Sequence, residues 1–69
     1  MLSPQTLQTL LQASDSGSNF HIFDSLPESD ITFLENKRIA IFISKAGVQV
    51  CWGDLMLRDY FSLLFSYRS

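Results

Sequence analysis

Apolar positions in this chain recur first at a helical period, then at a strand period, then at a helical period again. Leu7, Leu10 and Leu11 stand at i, i+3 and i+4, and Gln5, Thr6, Gln8, Thr9 and Gln12 complete an uncharged polar side. Ser3-Pro4 marks the start, with serine at the N-cap and proline where its missing N–H costs nothing. Leu2 and Leu7 flank that cap at the hydrophobic-staple positions. The pattern predicts a helix over roughly 4–13, stopped by the turn-forming run SDSGS from Ser14 to Ser18.

The next run, NFHIF from Asn19 to Phe23, is rich in aromatic and β-branched residues and is read as a possible short strand. A second helix follows over roughly 27–36. Ser25 and Glu28 have capping-box spacing, and Glu28 and Asp30 sit in the first turn, where the helix dipole favours carboxylates. Ile31, Leu34 and Phe33 are its inward candidates, and Asn36-Lys37-Arg38 its end.

The clearest pattern is RIAIFISKAGVQVCW, two β-rich runs joined by Ser44-Lys45-Ala46-Gly47, a type I turn candidate with glycine fourth. With Ser44 placed near Val48, one face would carry Ala40, Phe42, Val48, Val50 and Trp52. The other would carry Ile39, Ile41, Ile43 and Cys51. Only Gln49 and Ser44 interrupt the apolar character, so both faces of the hairpin call for cover. Left open, IAIFI is also an aggregation-prone window.

Gly53-Asp54 breaks the strand, and Asp54 is the expected N-cap of a last helix. At 100° per residue Arg58, Asp59, Ser62 and Ser66 form a narrow polar strip with Leu55 inside it. Met56, Leu57, Tyr60, Phe61, Leu63, Leu64, Phe65 and Tyr67 fill an arc of roughly 200°, about twice the stripe a surface helix needs for its own core. The expected class is therefore α+β: two short N-terminal helices, a central antiparallel β-hairpin extended by a short strand where 19–23 pairs, and a C-terminal apolar helix. All of it is expected to form one small domain, residues 1–69.

Size sharpens the problem that this apolar excess raises. A chain of 69 residues buries only about 60% of its unfolded surface, and domains this small commonly gain stability from disulfides, a metal or a partner chain. Cys51 is the sole cysteine, so no internal disulfide forms, and no Cys/His spacing supplies a zinc site. Neither a metal nor a cofactor is expected. Association remains: the last helix is read either as the central core element or, favoured here, as burying one side in its own fold and the other against a partner, with Met56, Leu57, Tyr60, Phe61, Leu64, Phe65 and Tyr67 the expected protein interface, rich in the Phe, Tyr and Met typical of interface cores.

Charge adds a second surface. Residues 1–36 hold five acids and no Lys or Arg, and residues 37–69 hold five bases and two acids, giving −5 against +3. Asp24, Glu28, Asp30 and Glu35 form a possible acidic face for a basic partner. A pI near 4.9, with Lys37, Arg38 and Lys45 as the one basic cluster, argues against nucleic acid. An acidic second helix also does not suit a recognition helix.

No catalytic residue is expected. His21 lacks identifiable partners, Cys51 lies in an apolar strand, and no nucleophile elbow or phosphate-binding glycine pattern occurs. A small-molecule substrate is not expected in a chain too short to enclose a cleft. Membrane association is not expected either: the longest unbroken apolar run is five residues and the polar strip of the last helix has two arginines. Without a basic n-region before its leucines, the N-terminus does not read as a secretory signal, and a cytoplasmic protein is expected.

These readings converge on a non-enzymatic protein–protein interaction module, an inhibitor or regulator that sequesters another protein, for example a DNA-binding regulator. It is expected to be a homo-oligomer joined through the hairpin and final helix, a type common among small phage and mobile-element regulators. The alternative is a small dimeric DNA-binding transcriptional regulator.

Overall fold

A computed structural model describes the backbone of residues 2–66 and the side chains of residues 2–61. Six elements follow one another: α1 (Pro4–Asp15), β1 (Phe20–Phe23), α2 (Glu28–Asn36), β2 (Ala40–Ser44), β3 (Gly47–Cys51) and α3 (Leu57–Ser66). The α+β class holds, and the NFHIF run does form a strand. It pairs antiparallel with β3 on the side away from β2, so the sheet order is β1-β3-β2 and β3 is central.

Register decides which side chains are inside. The hairpin closes with Ser44 opposite Gly47, so Ile43 pairs with Val48, Ile41 with Val50 and Ala40 with Cys51. That is one residue away from the expected pairing, and a one-residue slip exchanges the faces of one strand relative to its neighbour. Ile39, Ile41 and Ile43 therefore share a face with Val48, Val50 and Trp52, while Ala40 and Phe42 share the opposite face with Cys51. The tight loop is set by Gly47. Its φ of 132° disfavours any side chain, and a Cβ there would overlap the Phe23 carbonyl oxygen of β1.

The core forms where the helices meet the Val48/Val50 face. Leu2 and Leu10 from the α1 region, Leu34 of α2, and Leu57 and Phe61 of α3 close over Ile39, Val48, Val50 and Trp52. Leu7, Leu11 and Phe33 pack at its margin. All the core helices thus lie on one side of the sheet.

Polar groups lock this layer, and they differ from the expected caps. Ser25 does not cap α2: Pro27 holds the N-cap position and no side-chain bond is made there. Asp30 is buried at 1% exposure, and its carboxylate gathers the start of α1. Ser3 N–H donates to Oδ1 at 2.9 Å, Thr6 Oγ1 donates to Oδ2 at 2.7 Å, and Ser3 Oγ lies 2.8 Å from the same oxygen. Thr6, expected on a wet side, is buried for this reason. Burial pushes the Asp30 carboxyl up, but the bonds from Thr6 and Ser3 outweigh it and hold the pKa below the ordinary value.

Asp54 does not cap α3, which begins three residues later. The buried Ser14 Oγ of α1 instead accepts the Leu57 N–H at 3.1 Å. Tyr60 donates its hydroxyl to the Lys37 carbonyl at 2.7 Å, tying α3 to the end of α2. Among the described residues no buried side-chain polar atom lacks a partner.

Two helices end in the same Schellman geometry with different residues. After α1, Ser18 N–H donates to Ala13 C=O and Gly17 N–H to Ser14 C=O, with Gly17 at φ 88°. After α2, Ile39 N–H donates to Leu34 C=O and Arg38 N–H to Glu35 C=O, with Arg38 at φ 64°. Buried Ile39 and Leu34 supply the accompanying apolar contact and hold an arginine where glycine is preferred.

Asp30→Asn should destabilise the fold by about 2–4 kcal/mol, because it trades an acceptor of three hydrogen bonds for a group with one acceptor atom. In the wild type the Asp30 contribution is complete above the unfolded pKa of about 3.9 and is lost as pH falls through the lower folded value. Urea midpoints measured against pH should therefore fall in acid for the wild type and change less for Asp30→Asn. Arg38→Gly should stabilise by roughly 0.5–1 kcal/mol, the left-handed strain relieved exceeding the added freedom of the unfolded chain. Thermal unfolding should show a rise of about 3–6 °C, and Gly17→Ala should move the other way.

Candidate protein interaction surface

The outer face of the sheet is built by alternation. With Phe23, Val48 and Val50 turned to the helices, their neighbours Phe20, Ile22, Gln49, Cys51, Ala40 and Phe42 turn outward. Two rows cross the three strands: Phe20, Cys51 and Ala40 in one, Ile22, Gln49 and Phe42 in the other. Phe20 and Ile22 are each 48% exposed and Phe42 59%. No described element packs on this face. Ile43, on the inner side but at the tip of the hairpin beyond the helices, is 70% exposed.

Gln49 and Cys51 are half-buried between the flanking strands, and Gln49 Nε2 donates to Cys51 Sγ at 3.2 Å. The middle of the face is thus a polar amide beside a free thiol, bordered by aromatic and aliphatic groups. None of these outward positions carries a formal charge. An apolar patch without charge on a small domain is a recognised mark of an interaction site.

The interface expected on the last helix fares differently. Leu57 and Phe61 lie in the core, Leu57 fully buried and Phe61 2% exposed, so neither is free to meet a partner. They are inside because the helix has the hairpin and α1 to pack on. Tyr60 is half-buried with its hydroxyl engaged, and Met56, just before the helix, is exposed. The side chains of Leu64 and Phe65, and Tyr67 altogether, lie outside the described residues.

The acidic face is also altered. Asp24 after β1 and Glu28 and Glu35 on α2 are exposed, and Glu28 and Glu35 are two helical turns apart on one side. Asp30 is enclosed and its carboxylate committed, so it cannot belong to that surface. Part of the charge split is used within the fold: Arg58 Nη2 stands 2.6 Å from Asp15 Oδ2, and this guanidinium lowers the Asp15 pKa.

Among the described residues the bases do not gather into one patch. Lys45 is at the hairpin turn and Arg38 precedes β2 at its opposite end. Lys37 Nζ lies 5.6 Å from the Phe33 ring centre.

The chemistry available elsewhere is limited. A cleft of about 470 Å³ opens between α1, β1 and the loop to α2, lined by Thr6, Thr9, His21, Asp24 and Ser25 among others. Its Ser3 and Thr6 hydroxyls are spent on Asp30, and His21 stacks edge-on to Phe23 at 4.7 Å. Among the described residues, no three His, Cys, Asp or Glu side chains converge to hold a metal ion, and no helix is long and apolar enough to cross a membrane. No protein-family model matches the chain, and neither a curated protein nor a solved structure is significantly similar to it.

Proposed function

We propose that this chain is a non-enzymatic protein-binding module, a regulator or inhibitor that works by holding a protein surface against the outer face of its sheet. The observation that carries the reading is the exposure of Phe20, Ile22 and Phe42 on one uncharged face with no described element over it. Removing such a face from water is favourable by about 25 cal/mol per Å² of apolar area, set against the entropic cost of association. Asp24 after β1 and Glu28 and Glu35 on α2 are exposed acids away from that face, and such charges suit a basic partner such as a DNA-binding regulator.

Phe42→Lys tests the reading. At an exposed position the substitution should change folding stability by no more than about 0.5 kcal/mol, as circular dichroism and thermal unfolding will check. Tagged wild-type protein should retain a discrete protein from an extract of its source cells, and folded Phe42→Lys should not. Retention of the same proteins by both forms would overturn the sheet face as the binding surface.

A further inference from the structure

Resting on that reading, we infer that the occupant of the sheet face is a second copy of this chain, packed sheet on sheet about a two-fold axis running parallel to the strands. An isologous interface requires a patch complementary to itself, and the register meets that requirement point by point. Rotation about an axis along β3 places β1 of one copy over β2 of its partner. Phe20 then faces Ala40, large over small, and Ile22 faces Phe42. Gln49 and Cys51, on the central strand, each meet their own counterpart near the axis. A glutamine amide carries both donor and acceptor, so two of them can bond reciprocally.

Charge selects this axis over the other face-to-face arrangement. Asp24 follows β1, and Lys45 lies in the β2–β3 turn, at the same end of the sheet but on opposite flanks. The axis along the strands brings Asp24 over Lys45 of the second copy, twice per dimer. An axis across the strands would instead stack β2 on β2 head to tail and set Lys45 near the second copy's Arg38. Asp54 lies three residues beyond β3 and three before α3, whose Leu57 and Phe61 pack on the inner face.

Area is consistent with a modest dimer. With aromatic side chains presenting about 150–250 Å² each, the half-exposed groups and their neighbours expose roughly 500 Å² per copy. Two copies would bury close to 1,000 Å², about the lower bound for a specific interface. Facing sheets pack about 10 Å apart with their strands within about 30° of one another, which keeps the central pairs close to the axis. Association in the micromolar range is expected.

Light scattering from micromolar to submillimolar concentration, at low ionic strength, should show a mass rising from 7.9 kDa to twice that value. Alkylation of Cys51 by a maleimide should slow over the same range. Asp24→Lys and Lys45→Asp should each weaken the dimer roughly three- to tenfold, and the double variant should restore it. Phe42→Lys should remain monomeric with a constant alkylation rate.

A folded wild-type monomer at every concentration would overturn self-association. If Phe42→Lys nevertheless loses a captured protein, binding at the sheet face stands with a different occupant. A dimer in which the double charge swap is no better than the single changes would overturn the proposed axis.

Discussion

A three-stranded sheet has two faces, and the described helices cover one. Leu10, Leu34, Leu57 and Phe61 come from three different helices, yet all converge on Val48 and Val50 of the central strand. Each helix is short, and among the described residues each buries one or two large side chains deeply. The rest of the architecture depends on keeping the three together on one side. Phe20, Ile22 and Phe42 are left outside by the same geometry that puts Val48, Val50 and Phe23 inside, because adjacent strand residues point in opposite directions.

Polar contacts across sequence-distant segments hold that one-sided layer. Asp30 joins α2 to the first residues of α1, and Ser14 of α1 caps α3. The indole N–H of Trp52 donates to the Ser18 carbonyl at 2.9 Å, joining the end of β3 to the loop after α1. Each of these bonds spans at least 24 residues, and each satisfies a group whose burial would otherwise oppose folding. In a domain whose net stability is a small difference of large quantities, such contacts align the helices without demanding a larger core. The Tyr60–Lys37 bond does the same for the end of α2.

One-sided cover also connects fold to function. A second helical layer would have satisfied the outer face at the cost of a longer chain, whereas a partner surface satisfies it only when bound. Gln49 and Cys51 sit in the middle of that face, so its centre is polar enough to impose register on the partner we propose, while the phenylalanines and isoleucine around them supply apolar area. The acidic flank of Glu28 and Glu35 lies on α2, outside the sheet face, and so leaves its apolar character intact.

By itself the sequence determined the element types and their approximate limits, because these follow from local periodicity and turn chemistry: the leucine stripe of α1, the aromatic run of β1, the Ser44–Gly47 turn and the Asn36-Lys37-Arg38 end of α2. It also determined that apolar surface exceeded what so short a chain could bury. Tertiary structure alone decided where that excess went. A register shifted by one residue moved Phe42 to the outside and Ile41 to the inside, and the helix layer took in Leu57 and Phe61, which periodicity had offered to a partner. It likewise buried Asp30 and Thr6, whose local pattern is that of a wet helix face. Pairing register and long-range hydrogen bonds depend on residues far apart in the chain, and no local pattern records which distant group will be the neighbour.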